Sequence, residues 1–235
     1  MTNVLGSIDY AMWILAASLE AAVVVCILRA ASARRYLSLV FYMLAEFLTT
    51  AGRLCVFLRS GYSSQEYFYF YYYSDALLVI CLYFALIGLY SQVFEEMQVS
   101  RYLRVAAVLL LGLTAWFTYG VVADSRDRLL THFVVELSQN LYFVGVVLTY
   151  LLWGAMMKLR ETRTRLIQLV LSLGICVSAF AATYALRNIY PSFSLWQYTP
   201  PLLAIGLPMA WGYTFLRVSE DARLATAHVV APNHR

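Results

Sequence analysis

Five ionisable side chains lie deep inside long apolar segments, where a charged group is costly and usually marks a functional site. They are Glu20, Glu46, Arg53, Asp75 and Glu136. Four carboxyls and one guanidinium at such depth suit a ligand or ion site, a proton relay, or hydrogen bonds that hold helices together. The residues alone leave these three uses open.

Other polar side chains fall on the same helical faces as these groups, since residues three or four apart lie on one side of a helix. Tyr72 precedes Asp75 by three positions, and His132, Glu136 and Asn140 follow one another at steps of four. The spacing therefore adds Tyr72, His132 and Asn140 to the candidate site. The fourth apolar segment has no such charge, and we expect it to be peripheral.

Depth within the segments predicts how the five ionisable groups are arranged. At a rise of about 1.5 Å per residue, Arg53, Asp75 and Glu136 lie about 9 to 12 Å below the outer ends of their segments. Glu20 and Glu46 fall near the middle of theirs. We expect an outward-facing polar cavity floored by Glu20 and Glu46. Because a lone guanidinium is costly at this depth, Arg53 should pair with Asp75 or Glu136.

The composition identifies the elements that position these groups. The chain is 62% hydrophobic and 13% charged, whereas soluble domains are roughly 45–50% apolar and 25% charged. Seven apolar segments approach the roughly 20 residues needed to span a bilayer: 9–28, 36–58, 67–94, 103–122, 130–157, 166–186 and 198–216. We predict an all-α membrane protein with one seven-transmembrane-helix domain over 1–217 and a short tail over 218–235.

Basic residues between the segments predict the orientation of the chain. Twelve Lys and Arg residues fall in one set of alternating loops and four in the other. Basic loops stay in the cytoplasm, so the N-terminus is expected outside and the C-terminus inside. The predicted location is the inner (plasma) membrane, with several passes through the lipid bilayer.

Proline marks one position at which a helix could bend. Pro208 lies inside the seventh segment, where it removes a backbone hydrogen bond and favours a kink. We predict that Pro208 is a hinge, although prolines also occur in membrane helices without this role.

Seven consecutive aromatic residues, Tyr67–Tyr73, lead into the third segment and are typical of an interfacial belt. Together with the Glu46 to Arg53 stretch and the Glu136-bearing fifth segment, this pattern resembles a family of small bacterial seven-transmembrane-helix proteins of acidobacterial type. That family has no established activity. The resemblance therefore implies a seven-helix bundle and assigns no functional residue.

The chain lacks several patterns that would identify an enzyme or a cofactor protein. Its one lysine, Lys158, ends the fifth segment, so no buried lysine is available for retinal. Haem is not expected, because His132 is the one histidine within a segment. There is no HExxH metal motif, nucleophile elbow or phosphate loop. The scattered basic residues form no nucleic-acid patch, and we expect neither a bound metal nor catalysis.

These observations predict a sensor or receptor-like module that binds a small molecule in the polar cavity and signals to a membrane or cytoplasmic protein partner. A small secondary or proton-coupled transporter is the first alternative, because Glu20 and Glu46 could exchange protons. A structural subunit of a larger membrane complex is the second alternative, consistent with the many aromatic residues.

Overall fold

The computed structural model describes residues 7–29, 34–61, 64–95, 100–122, 129–190 and 199–223, and these contain seven α-helices and no β-strand longer than an isolated bridge. The helices are α1 (Ser7–Arg29), α2 (Leu37–Ser60), α3 (Gln65–Val93), α4 (Ser100–Val122), α5 (Leu129–Lys158), α6 (Thr164–Ile189) and α7 (Thr199–Arg217). Their ends lie within three residues of the apolar segments predicted from the sequence.

Five of the helices are long and apolar enough to cross a membrane. The apolar stretches are Tyr10–Arg29, Leu37–Ser60, Gln65–Val93, Phe133–Lys158 and Thr164–Arg187. In α4 a shorter apolar stretch, Val108–Gly120, lies below the spanning length. The all-helical fold and these five helices make the chain a membrane-embedded protein.

The helices pack as a ring of six with one helix outside it. Contacts run from α1 to α2, α3, α5, α6, α7 and back to α1, and α3 also touches α6 across the ring. The helix outside the ring is α4, which packs on α5 and α3. Its large side chains, such as Trp116 at 79% exposure, point away from the bundle. The peripheral place expected for the fourth helix is therefore observed.

Small residues set the distance between neighbouring helices. Lipid tails are as apolar as leucine, so membrane helices associate through close packing and small residues permit that approach. A Cβ atom on Gly174 of α6 would lie 2.5 Å from Thr149 and from the Trp153 ring of α5. The α5–α6 interface therefore depends on a glycine at this position.

The aromatic run is helical. Ser64 caps α3 by accepting a hydrogen bond from the backbone N–H of Tyr67 at 3.1 Å. Aromatic residues favour strands, yet here seven successive rings surround a helix, with Tyr67 buried and Tyr73 exposed. The capped first turn leads directly to Asp75, two turns further along α3.

Pro208 lies inside α7, which remains helical from Thr199 to Arg217. One turn later, the fully buried Trp211 contacts the Tyr42 ring of α2 and donates a hydrogen bond to the Leu169 carbonyl of α6. This half of α7 is thus fixed to two neighbours, and a hinge at Pro208 stays a prediction.

Candidate functional site

Arg53 is the centre of a polar cluster between α2 and α3. Its Nε donates a hydrogen bond to Ser74 Oγ at 2.8 Å, and Nη2 donates to the Tyr71 carbonyl at 3.2 Å. The guanidinium carbon lies 4.4 Å from the centre of the Tyr71 ring, within cation–π range. Nη2 also lies 3.9 Å from Asp75 Oδ1. Of the two partners expected for Arg53, the structure provides Asp75.

Asp75 faces hydroxyl groups on two further helices. Ser138 of α5 and Tyr184 of α6 lie beside its carboxylate, and Tyr142 of α5 is close enough to interact with it electrostatically. Tyr142 in turn packs against Tyr184, with ring centres 5.4 Å apart. The Arg53–Asp75 pair therefore connects four helices of the ring, α2, α3, α5 and α6.

A second group of polar side chains lies between α1 and α2. Glu20 is 1% exposed, and its Oε1 accepts a hydrogen bond from Thr50 Oγ1 at 3.1 Å. Glu46 precedes Thr50 by one helical turn, so it lies on the same face of α2. Its carboxyl interacts with the Tyr42 hydroxyl and with Glu20. Glu20 and Glu46 are buried, whereas Thr50, Arg53 and Asp75 are half-buried. We call these five residues the buried polar core.

Three buried oxygen atoms near these groups have no hydrogen-bond partner within the described residues: Glu20 Oε2, Glu46 Oε2 and Ser138 Oγ. Most buried polar atoms are paired, so unpaired carboxylate oxygens indicate a missing partner. In the described part of the chain, no three His, Cys, Asp or Glu side chains are placed to hold a metal ion together.

Some residues predicted for the site lie elsewhere. Glu136 forms no hydrogen bond or ion pair with the described residues. Asn140 donates a hydrogen bond to Thr118 Oγ1 of α4 at 3.1 Å, outside the ring. The Tyr72 ring packs on Phe68 and Tyr71. The side chain of His132, in the first part of α5, lies outside the described residues.

The face of α5 that points into the ring differs from the predicted one. Ser138 and Tyr142 are buried there, followed by Gly145 and Thr149 at helical spacing. The predicted inner face is instead the one with Glu136 and Asn140, which is more polar. Ser138, Tyr142, Thr50, Tyr71 and Ser74 were absent from the predicted site. The Ser138–Tyr142–Gly145–Thr149 spacing is the signal that would have shown the inner face.

The open polar cavity expected from the sequence is not seen in the described residues. A cavity of about 10 Å³ lies between α3, α5 and α6, large enough for one water molecule at most. Its walls are mainly aliphatic side chains with the Tyr83 and Tyr142 rings. Neither Glu20 nor Glu46 lines this cavity, so a polar cavity at these two residues stays a prediction.

Charged residues form a second network at one end of the bundle. Glu95, just after α3, pairs with Arg35 before α2 and with Arg163 before α6, the latter at 3.4 Å. Arg163 Nη2 also donates to the Gln92 carbonyl at 2.9 Å, and Gln92 Nε2 donates to the Arg35 carbonyl at 2.9 Å. We call this region the basic end.

The segment after α7 folds back onto the basic end. We call residues 218–223 the C-terminal strap. Its Ala222 carbonyl accepts from the Thr164 N–H at 3.1 Å, and its Val218 carbonyl accepts from Arg165 Nε at 2.9 Å. Glu220 lies 3.4 Å from Arg35 and 3.8 Å from Arg165. The strap therefore joins α7 to the starts of α2 and α6.

Hydrogen bonds and ion pairs change the acidity of groups at the basic end. Burial alone raises the pKa of Glu161, but hydrogen bonds from Arg163 and from the Thr162 N–H outweigh it and hold the pKa below the ordinary 4.5. The hydrogen bonds that Arg163 donates to the Glu161 carboxylate raise the pKa of Arg163 in turn. Burial, and then the charge of Glu220, raise the pKa of Tyr36. Glu161 is therefore ionised at neutral pH.

No protein-family model, curated protein or solved structure matches this chain. Function is therefore inferred from the contacts of the buried polar core and of the basic end.

Proposed function

We propose that the chain is an integral membrane sensor, a non-enzymatic receptor-like module of the plasma membrane that carries a signal from the buried polar core to the basic end. In this proposal all seven helices cross the bilayer, with the N-terminus outside and the basic end in the cytoplasm. The signal is passed there to a partner protein.

The observation that carries the proposal is the position of α3. Asp75 of α3 belongs to the buried polar core, and Glu95, just beyond its last residue, pairs with Arg35 and Arg163 at the basic end. Twenty residues of helix span about 30 Å. A shift of α3 that accompanies a change at Asp75 would therefore act directly on the ion pairs of Glu95.

Spin labels test this coupling without knowledge of the ligand. Arg34→Cys and Asp221→Cys place labels on two exposed residues of the basic end, in a protein whose exposed Cys55 is replaced by serine. We expect Asp75→Asn to change the distance distribution between the labels, measured by pulsed electron spin resonance in nanodiscs. The matched control Glu136→Gln removes a carboxyl that has no partner in the described residues. An unchanged distribution in Asp75→Asn would overturn the proposal.

A secondary or proton-coupled transporter is the second candidate, favoured by the unpaired carboxylate oxygens of Glu20 and Glu46. Buried acids of this kind serve as proton relays in membrane transporters. The prediction is proton or substrate flux in liposomes that Glu46→Gln abolishes. Flux that is absent, or that is the same in Glu46→Gln, would remove this candidate.

A further inference from the structure

The buried polar core has more acids than bases. Among the described residues it contains three carboxyls, of Glu20, Glu46 and Asp75, and one guanidinium, of Arg53. The guanidinium lies 3.9 Å from Asp75 and also interacts electrostatically with Glu20 and Glu46, but one positive charge cannot balance three carboxylates. A buried carboxylate is stable only when it is paired, and otherwise it takes up a proton, so the Glu20–Glu46 pair must hold protons or bind a further cation.

The geometry shows where a cation would be bound. Glu20 and Glu46 are 1% and 9% exposed, and each keeps one unpaired oxygen, Oε2. Thr50 donates to the other oxygen of Glu20 and lies one turn from Glu46 on α2, which brings both carboxyls to one place between α1 and α2. The Tyr42 hydroxyl reaches Glu46 from the preceding turn.

We propose that Glu20 and Glu46 bind a sodium ion, with the hydroxyl oxygens of Thr50 and Tyr42 beside it. Hard cations prefer oxygen ligands, and Ca²⁺ takes six to eight while Mg²⁺ keeps several waters. Among the described residues no third His, Cys, Asp or Glu side chain joins this pair, which favours a monovalent ion over either divalent ion. One sodium ion and one proton neutralise the two carboxyls, and the bound ion joins α1 to α2.

The site is independent of the sensor proposal, since a bound sodium ion would stabilise the bundle whether or not the basic end responds. Direct binding is therefore the first test. Purified full chain in mild detergent at pH 8 is titrated with radioactive ²²Na⁺ in a scintillation proximity assay. We expect saturable binding that is lost in Glu20→Gln and in Glu46→Gln. Glu136→Gln, the control on α5, should bind like the wild type.

Thr50→Val extends the test in case a carboxyl variant does not fold. It keeps both carboxyls but removes the hydroxyl that orients Glu20, and loss of such a supporting hydrogen bond weakens ion binding about tenfold or more. We expect the sodium titration to shift by that factor. Wild-type affinity in Thr50→Val would place the ion elsewhere and contradict the proposal.

Thermal unfolding gives an independent measurement. A ligand that binds the folded state raises the melting temperature with its concentration. We expect NaCl to stabilise the wild type relative to choline chloride at equal ionic strength, and to stabilise Glu46→Gln no more than choline does. If sodium neither binds nor stabilises, protons alone neutralise the pair and the proposal is wrong. Displacement of ²²Na⁺ by micromolar calcium would also overturn it, because the site would then belong to a divalent ion.

Discussion

Arg53 Nη2 lies 3.9 Å from Asp75 Oδ1, and its guanidinium carbon lies over the Tyr71 ring, 4.4 Å from the ring centre. The same guanidinium donates to Ser74 and to the Tyr71 carbonyl. A lysine could replace the charge but could not form this set of contacts, since it lacks the planar fork of donors. Arg53 thus fixes the rotation of α3 relative to α2.

Removal of this guanidinium should destabilise the bundle. We expect Arg53→Met to lower the free energy of unfolding by about 1–3 kcal/mol, because Asp75 is left as a half-buried charge without its partner. Adding Asp75→Asn to Arg53→Met should restore much of the lost stability, since the double variant contains no unpaired charge. The free energies of unfolding of Arg53→Met, Asp75→Asn and the double variant are measured in mixed micelles. Arg59→Met, at the exposed end of α2, is the control, and strictly additive effects would contradict the pairing.

The helices of this chain could be predicted from the sequence, but their rotation could not. Apolar length sets where a membrane helix begins and ends, so the bounds agree to within three residues. Polar side chains predict the inner faces of α2 and α3, where Arg53 and Asp75 meet. On α5 the same rule predicts the wrong face, because Asn140 donates a hydrogen bond to Thr118 on the outer helix α4. A polar face can bind another helix outside the ring as well as face its centre.

The contacts of the basic end could not be predicted from the sequence either. In the sequence, Arg35, Arg163 and Arg165 indicate the orientation of the chain, and nothing in their spacing indicates their partners. Their pairing with Glu95 and Glu220 depends on how the ends of α2, α3, α6 and α7 meet. Such contacts between distant parts of a chain become visible only in the folded structure.

A methyl group on Gly174 should disturb the α5–α6 interface. We expect Gly174→Ala to lower the free energy of unfolding by about 1–3 kcal/mol, because the new Cβ would lie 2.5 Å from Thr149 and from the rigid Trp153 ring. Gly112→Ala is the control, since its Cβ would meet nothing within 4 Å. Thermal unfolding compares the two. Equal stability of both variants would show that α5 and α6 can separate without loss.

Loss of the Glu220 carboxylate should free the C-terminal strap. In Glu220→Gln the ion pairs with Arg35 and Arg165 are lost, and the hydrogen bond from the Thr164 N–H to the Ala222 carbonyl opens more often. We expect faster hydrogen exchange at the starts of α6 and of the strap, measured by mass spectrometry. Asp221→Asn removes the adjacent exposed carboxylate and should exchange like the wild type. Unchanged exchange in Glu220→Gln would mean that backbone contacts alone hold the strap.

Glu161 should make the stability of the basic end vary with pH in the acidic range. Hydrogen bonds from Arg163 hold its folded-state pKa below the unfolded value of 4.5, so its contribution is complete above pH 4.5 and is lost as the pH falls through the folded-state pKa. We therefore expect Glu161→Gln to melt at a lower temperature than the wild type at pH 7, with the difference shrinking below pH 4.5. Melting curves from pH 3 to 7 measure this, with Asp221→Asn as the control. A difference that stays constant over this range would show that the ionised carboxylate is not what stabilises the loop.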